Sequence, residues 1–279
     1  LMVFPFLVFA ISLSVLSVVL GGFSGVSAFL FGILFFVLYF ILGLLIHCLI
    51  LWIMSLSVKD MDSLQEHDDL RFRRMTAYTI SFGMKLLNVK VKVKGMEQIP
   101  KGRFLLIQNH RSMFDPLISL YALDKLQLGF ITKPENMDIP IIGKFAHRIC
   151  ALPIDRESPR NAVKTINTAA DYIKNDVCSI GLYPEGTRNR SDTAPLLPFH
   201  NASLKIGTKA ACPVVVTAIS GTDEIKRRAP FRRTNVVIKI CGVIPAEAVK
   251  ASSTAELSAI CRRLLCEGMG IPFIEEENE

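Results

Sequence analysis

The sequence predicts an α/β fold with a mostly parallel central sheet flanked by helices, preceded by an N-terminal membrane helical hairpin. Short apolar runs typical of buried strands alternate with amphipathic stretches typical of helices, and polar turns follow several of those runs. A second observation is the charge distribution, because residues 1–58 contain no Asp, Glu, Lys or Arg. We therefore expect two domains, a membrane-embedded helical segment at 1–58 and a cytosolic α/β domain at 59–279.

The N-terminal segment contains two apolar runs. Val3 to Leu20 is just long enough for a helix to span about 30 Å of hydrocarbon, and Ala28 to Leu56 is longer. The connector at 21–27 is short and rich in glycine, so two helices here would form a hairpin. A single span, with the first run lying in the membrane interface, is the alternative. No basic residue precedes the first run, and a cleaved signal peptide is therefore not expected.

Basic residues follow the second apolar run and none precedes the first. The earliest are Lys59, Arg71, Arg73 and Arg74, and the positive-inside rule then places the following domain on the cytoplasmic face of a membrane. The net charge of +7 belongs entirely to this domain. A basic domain beside an apolar segment favours the lipid bilayer over nucleic acid as a partner, and no nucleic-acid-binding motif is present.

The remaining elements follow from hydrophobic periodicity and turn residues. We expect helices at 60–87, 116–123, 139–148, 158–174 and 253–266, and strands at 89–94, 103–108, 128–132, 149–153, 177–183, 213–220 and 234–240. The helix at 60–87 either lies where the domain meets the membrane or packs on the core. The acidic stretch at 275–279 is expected to be a solvated end.

A histidine and an aspartate occur together where the strand at 103–108 ends. His110 and Asp115 are separated by four residues, and Pro116 favours the start of a helix at this point. Histidine removes protons near neutral pH when a carboxylate fixes its tautomer, so this pair is a candidate general base with its orienting partner. The alternative is a loop histidine beside an aspartate that caps a helix.

A second polar cluster follows the strand at 177–183. Glu185, Gly186, Thr187 and Arg188 combine a carboxylate, a residue that permits close backbone approach, a hydroxyl and a guanidinium. Hydroxyl, backbone N–H and guanidinium groups all bind phosphate oxygens, which indicates a site for a phosphorylated polyol. A tight turn with solvated arginines is the alternative.

The seven cysteines are scattered through apolar runs without Cys-x-x-Cys pairs or histidine groupings at metal-ligand spacing. This distribution is typical of reduced, buried thiols in a cytosolic compartment. We therefore expect neither a disulfide nor a metal, and nothing in the sequence calls for a cofactor.

Taken together, these blocks resemble the glycerolipid acyltransferase family, and within it the 1-acyl-glycerol-3-phosphate (lysophosphatidate) acyltransferases. The resemblance covers about residues 94–217. It includes the His-four-residues-Asp motif, the run Pro184 to Arg188, and a middle motif formed by 131–135, 139–143 and 154–156. Two departures lie further on, since only one of the two usual prolines is present at 213–217 and Asn201 stands where glycine is common.

The resemblance implies an enzyme of phospholipid synthesis that moves a fatty acyl group from acyl carrier protein or coenzyme A to the sn-2 hydroxyl of a lysophosphatidate acceptor. His110 would be the base and Asp115 its partner. The residues implied to bind the acceptor are Lys133, Arg156, Glu185, Gly186, Thr187 and Arg188. Alternatives are a sibling acceptor such as glycerol 3-phosphate or another lyso-lipid, a non-catalytic lipid carrier, and a thioester hydrolase.

A cluster of cationic residues surrounds Pro230 and Phe231. Lys226, Arg227 and Arg228 precede this pair, and Arg232 and Arg233 follow it. Docking on anionic lipid or on an acidic acyl carrier is one interpretation of the cluster, and a solvated loop is the other.

Overall fold

A computed structural model describes residues 4–191 and 194–273. The chain divides into two compact units, Leu1–Met61 and Asp62–Glu279. The acidic stretch at 275–279, expected to be a solvated end, and Val3, where the first apolar run was expected to begin, lie outside the described residues.

The N-terminal unit contains two packed helices, α1 (Phe4–Leu20) and α2 (Gly25–Leu56). The Phe23 ring, in the turn between them, stacks on Phe31 with centroids 4.0 Å apart, and the hydroxyl groups of Ser17 and Tyr39 are 2.7 Å apart. Among the described helices, α2 alone is long and apolar enough to cross a membrane, while α1 is apolar but shorter. The structure thus contains the predicted apolar hairpin, with one helix of spanning length.

The second unit alternates strands and helices along the chain. The strands are β1 (Val89–Lys94), β2 (Leu105–Gln108), β3 (Leu128–Thr132), β4 (Leu152–Pro153), β5 (Ser179–Leu182), β6 (Val214–Ser220) and β7 (Thr234–Ile244). The α-helices are α3 (Leu70–Leu86), α4 (Asp115–Ala122), α5 (Ile142–Arg148), α6 (Pro159–Lys174), α7 (Lys205–Ala210), α8 (Ile225–Arg228), α9 (Ala246–Ala251) and α10 (Thr254–Met269).

The strands form one sheet in the order β1-β7-β6-β2-β5-β3-β4. From β6 to β4 all neighbours are parallel, whereas β7 runs antiparallel to β6 and carries β1 parallel to itself. The predicted mostly parallel sheet is therefore confirmed. Because parallel strands point the same way, the last residues of β6, β2, β5, β3 and β4 meet along one side of the sheet, which we call the carboxyl edge.

Helices cover both faces of the sheet. Leu105 and Ile107 of β2 point to the face covered by α6 and α10, where they pack with Ile166 and Leu257. Leu106 points to the opposite face and lies fully buried in a separate cluster. Helices α3 and α4 contribute to the core on that second face. Alternate side chains of one short strand thus join two apolar cores, which holds the carboxyl edge on a rigid support.

The helix predicted at 60–87 begins only at Leu70. Asp69 is its N-cap, because the carboxylate accepts the backbone N–H of Arg71 at 3.0 Å. Phe72 and Ile80 of this helix are buried in the second unit. Its periodicity therefore reflects packing on the domain core.

Several predicted strands differ in length from those in the structure; β2 and β5, for example, are shorter than expected. The strand expected at 149–153 is reduced to Leu152–Pro153, because Cys150 has a φ of +64°, which an extended strand does not allow. The strand expected at 234–240 continues to Ile244, with an irregularity in its pairing to β6. The extension lengthens the antiparallel pair at the far side of the sheet from β4.

Candidate active site

The residues selected from the sequence lie on loops that leave the carboxyl edge. His110 follows β2, Lys133 follows β3, Arg156 follows β4 and Glu185 follows β5. In the sheet, β5 lies directly between β2 and β3, and hydrogen-bonded strands are about 4.8 Å apart. The loops that carry His110 and Glu185 are therefore immediate neighbours, although 75 positions separate them in the sequence.

His110 and Asp115 are in direct contact. The Nδ1 atom of His110 lies 2.8 Å from Oδ2 of Asp115, and the same oxygen accepts the backbone N–H groups of Arg111 and Ser112 at 2.8 and 2.7 Å. The Asp115 side chain is completely buried, while 17% of the His110 side chain is exposed. A carboxylate that accepts from Nδ1–H leaves the lone pair on Nε2, so this arrangement orients the imidazole as a base.

The His110 ring also stacks on an aromatic residue that sequence reasoning did not select. The Tyr183 ring lies 4.2 Å from it, centroid to centroid, with 22° between the planes, and Tyr183 stacks in turn with Phe130. Burial and the charge of Asp115 raise the pKa of Tyr183 well above its usual value, which keeps the phenol neutral. Tyr183 thus fixes the plane of the imidazole without adding a charge to it.

Glu185 supports the same loop through its backbone. Its Oε1 accepts the N–H of His110 at 2.7 Å, and its Oε2 accepts the N–H of Leu197 at 2.9 Å. The residue is only 2% exposed. Burial raises the pKa of Glu185, even though both hydrogen bonds oppose the shift. The sequence predicted that Glu185 binds the acceptor; in the structure both of its carboxylate oxygens accept backbone N–H groups, and one of these groups belongs to His110.

Arg156 and Gly186 are in contact next to Glu185. The Nη1 group of Arg156 donates to the carbonyl oxygen of Gly186, although β4 and β5 are separated by β3 in the sheet. Gly186 has a φ of +70°, and a Cβ atom there would lie 2.5 Å from Cδ2 of His200. Burial lowers the pKa of Arg156, and arginine remains a cation at neutral pH. A guanidinium is thus held at the turn that follows β5, where only glycine fits.

Three further residues selected from the sequence are exposed. Lys133 lies just beyond β3, and Thr187 and Arg188 lie beyond Gly186. They belong to the same edge, but the contacts described above do not include them. Among residues 4–191 and 194–273, no group of three His, Cys, Asp or Glu side chains could hold a metal ion.

Two buried asparagines hold the His110 loop and were also not selected from the sequence. The Asn109 side chain donates to the carbonyl of Ile219 at 3.0 Å and accepts its N–H at 2.8 Å, which ties the loop to the end of β6. The backbone N–H of Asn189 donates to the carbonyl of His110 at 2.7 Å. For Asn109 the only available signal was a polar residue directly after a strand, and this signal becomes specific once the strand order is known. Asn189 does not directly follow a strand, and its position offered no such signal.

An α/β sandwich with a carboxylate-oriented histidine and a nearby guanidinium at its carboxyl edge is the arrangement expected of an enzyme that activates a hydroxyl group for group transfer. Residues 90–220 match the family model described as Acyltransferase. The resemblance to the glycerolipid acyltransferase family is thereby confirmed. Proteins named 1-acyl-sn-glycerol-3-phosphate acyltransferase recur among the relatives.

The relative from Saccharomyces cerevisiae is 25% identical over 187 residues, which cover 66% of this chain and 61% of the yeast protein. The relative from Mycoplasma pneumoniae, named as a probable enzyme of the same type, is 29% identical over 60% of this chain and 63% of its own length. The chain thus spans less than two thirds of these relatives.

A crystal structure of the 1-acyl-sn-glycerophosphate acyltransferase PlsC from Thermotoga maritima superimposes with a TM-score of 0.57. The alignment covers 81% of this chain and 89% of that one, with 24% identity. This likeness supports the fold, including the mostly parallel sheet and its flanking helices.

Proposed function

We propose that this protein transfers a fatty acyl group from a thioester to the sn-2 hydroxyl of 1-acyl-glycerol 3-phosphate, giving phosphatidate. The observation that carries the proposal is the 2.8 Å contact between Nδ1 of His110 and the buried carboxylate of Asp115. The names of the relatives supply the substrate class. Acyl carrier protein and coenzyme A are both compatible thioester donors.

In the proposed reaction, Nε2 of His110 takes the proton of the acceptor hydroxyl while the oxygen attacks the thioester carbonyl. The carbon–sulfur bond then breaks, and the imidazolium returns the proton to the leaving thiolate, so that the enzyme ends unchanged. Asp115 stabilises the imidazolium while it exists, because its charge lies 2.8 Å from Nδ1. Base assistance of this kind contributes roughly 10²–10⁴-fold to the rate.

Direct transfer fits this chain better than a covalent acyl-enzyme. The sequence contains no Gly-x-Ser-x-Gly turn. Burial raises the pKa of Cys212 to about 11 and that of Cys261 to about 12, so neither supplies a thiolate at neutral pH. The mechanism therefore assigns the activated nucleophile to the acceptor itself.

Arg156, Lys133 and Arg188 are the proposed anchors for the acceptor phosphate. Arg156 has the strongest support, because its guanidinium is already held at the carbonyl of Gly186 beside the histidine loop. Lys133 and Arg188 are exposed cations of the same edge. Each charge-assisted hydrogen bond to phosphate contributes about 1.5–3 kcal/mol, or roughly a 10- to 150-fold change in KM.

We further propose that the chain is membrane-bound with the second unit on the cytoplasmic face. Helix α2 is long and apolar enough to cross a bilayer. Lys59 and the arginines at 71, 73 and 74 follow it, whereas no charge precedes it. A lipid acceptor would then be delivered from the membrane that holds the enzyme.

The test is to supply the full chain, reconstituted in lipid, with mixed lyso-acceptors and both thioester types, and to identify the products by mass spectrometry. Phosphatidate should be the main product, and His110→Ala should abolish it. His67→Ala is the matched control, because His67 is exposed and lies outside the site. A strong preference for a non-phosphorylated acceptor would contradict the phosphate anchors, and unchanged transfer by His110→Ala would refute His110 as the base. Absence of any acylated product from the wild-type protein would favour a lipid carrier.

A further inference from the structure

The loop between β6 and β7, residues 221–233, leaves the sheet at the carboxyl edge, and we call it the basic loop. Strand β6 ends at this edge, and β7 starts there because it runs antiparallel to β6. Arg111, next to the proposed base, lies 3.9 Å from Asp223 of this loop, measured from Nη2 to Oδ2. The basic loop is therefore a neighbour of the candidate active site.

The basic loop is cationic and presents an aromatic side chain to solvent. Its cationic residues number five and its acidic residues two, which gives a net charge of +3. Two of the arginines, Arg227 and Arg228, pair with Glu224. Phe231 is 93% exposed and is the most exposed large apolar side chain among the described residues. Arg232 and Arg233, which follow it directly, are also exposed.

The fold holds this loop in place. Ile225 is completely buried and packs with Ile219 and Val236, and Thr222 is 1% exposed. Backbone hydrogen bonds continue through the loop, including that from the N–H of Arg232 to the carbonyl of Arg228 at 2.9 Å. The exposure of Phe231 is thus imposed by buried anchors on the same loop, and its ring projects from a structured turn.

We propose that the basic loop docks on an anionic bilayer surface, with Phe231 entering the headgroup region. Arginine and lysine side chains are attracted to anionic headgroups, while an aromatic ring gains by leaving water for the interface. An apolar ring with cationic residues on either side in the sequence matches a surface that combines anionic headgroups with apolar chains, and it matches a purely acidic protein less well. The chain also carries α2, which is long and apolar enough to cross a bilayer.

Docking of this loop would turn the carboxyl edge, and with it His110, toward the lipid surface. The docking itself does not depend on which reaction the protein catalyses. It adds to the proposed function a route by which a lipid acceptor reaches the site from the plane of the membrane. A fluorescent reporter in the loop therefore tests the docking directly and needs no turnover.

The first experiment places a fluorescent reporter in the loop of the full chain. Trp52 is the only tryptophan, so Trp52→Phe gives a silent background for Phe231→Trp. Met96→Trp is the matched control, because Met96 is 40% exposed and follows β1, whose carboxyl end lies at the opposite edge of the sheet. Both proteins are reconstituted in vesicles whose brominated acyl chains quench nearby tryptophan.

We expect strong quenching of the position-231 reporter in phosphatidylglycerol vesicles, weaker quenching in phosphatidylcholine vesicles, and a decrease at high salt. The position-96 reporter should not respond. Equal responses at the two positions, or equal quenching in neutral and anionic vesicles, would overturn the proposal. So would a response to acidic acyl carrier protein that does not depend on the lipid.

The second experiment reverses charge. Arg232→Glu combined with Arg233→Glu should abolish the anionic-lipid response of the position-231 reporter. Lys101→Glu with Lys174→Glu makes the same change in net charge at exposed positions just before β2 and β5, at the opposite edge of the sheet, and should preserve the response. Phe231→Ala should slow acylation of a bilayer-embedded acceptor by on the order of tenfold and leave acylation of a short-chain soluble acceptor unchanged. An equal loss with both acceptors would place Phe231 in the active site and overturn the docking role.

Discussion

Replacing Asp115 with asparagine tests the histidine–carboxylate pair with little change in shape. Oδ2 of Asp115 accepts hydrogen bonds from Nδ1 of His110 and from the backbone N–H groups of Arg111 and Ser112. An amide oxygen in the position of Oδ2 can accept all three hydrogen bonds, so the tautomer and the orientation of the imidazole are kept. The amide N–H₂ then takes the place of Oδ1, which has no hydrogen-bond partner among the described residues. What the exchange removes is the negative charge that stabilises the imidazolium during the reaction.

Losing one partner of a buried, hydrogen-bonded charge pair costs about 2–5 kcal/mol. At about 1.36 kcal/mol for each factor of ten, the expected loss in kcat is roughly 30- to 5,000-fold. The loss cannot exceed the roughly 10²–10⁴-fold contribution of general-base catalysis, because Asp115 acts through His110.

The assay is single-turnover acyl transfer to lysophosphatidate by the reconstituted full chain, with thermal unfolding measured in parallel. Asp171→Asn, on the exposed surface of α6, is the matched control and should retain full activity. Combining Asp115→Asn with His110→Ala should cost no more than His110→Ala alone, because Asp115 acts only through His110. Retention of more than a tenth of the wild-type rate by Asp115→Asn, or additive losses in the double variant, would refute the reasoning.

Three other substitutions, all in the second structural unit (Asp62–Glu279), also have expected outcomes. Gly186→Ala should reduce acyl transfer at least tenfold, because the alanine Cβ would lie 2.5 Å from the His200 ring at a backbone φ of +70°. Steady-state kinetics and thermal unfolding, measured on the same preparation, check this. Burial raises the pKa of Glu185 above 4.5. The stability that this residue contributes is therefore complete below pH 4.5 and declines as the pH rises through the raised pKa. Glu185→Gln should remove this pH dependence from the free energy of unfolding measured by chemical denaturation. Burial opposes ionisation of Asp69, yet hydrogen bonds from Arg71 and Arg148 lower its pKa to about 2. The stability that Asp69 contributes to the fold is therefore complete above pH 3.8 and is lost as the pH falls toward 2. Asp69→Ala should abolish this acid dependence of the free energy of unfolding.

The sequence predicted the fold because its signals are local. Each central strand is a short apolar run that ends in a polar turn, and Ser158 with Pro159 marks the start of α6, where the serine hydroxyl caps the helix. The histidine pair was predictable for the same reason, since His110 and Asp115 are close in sequence and Pro116 marks the start of the helix that carries Asp115. The sequence predicted too early a start for helix α3, because the apolar periodicity continues back to Leu64, which is exposed in a loop.

Contacts between distant segments could not be predicted in the same way. The hydrogen bond from the N–H of His110 to Glu185 requires that β2 and β5 be neighbours, and the sequence does not give strand order. The contact between Arg156 and Gly186 requires a loop that reaches across β3. The stacking of Tyr183 on His110 could not be predicted, because a tyrosine at the end of an apolar strand is most simply interpreted as a core residue.

The local contact with Asp115 and the contacts with distant segments converge on His110. Asp115 holds Nδ1 of His110, Tyr183 holds the face of the ring, Glu185 accepts the backbone N–H, and Asn189 donates to the carbonyl. Every one of them positions the base, and in the proposed mechanism none of them binds the acceptor phosphate. Changes at these positions should therefore act mainly on kcat, whereas changes at an anchoring cation should act mainly on KM. The division of effects between the two constants separates the part of the site that performs proton transfer from the part that selects the acceptor.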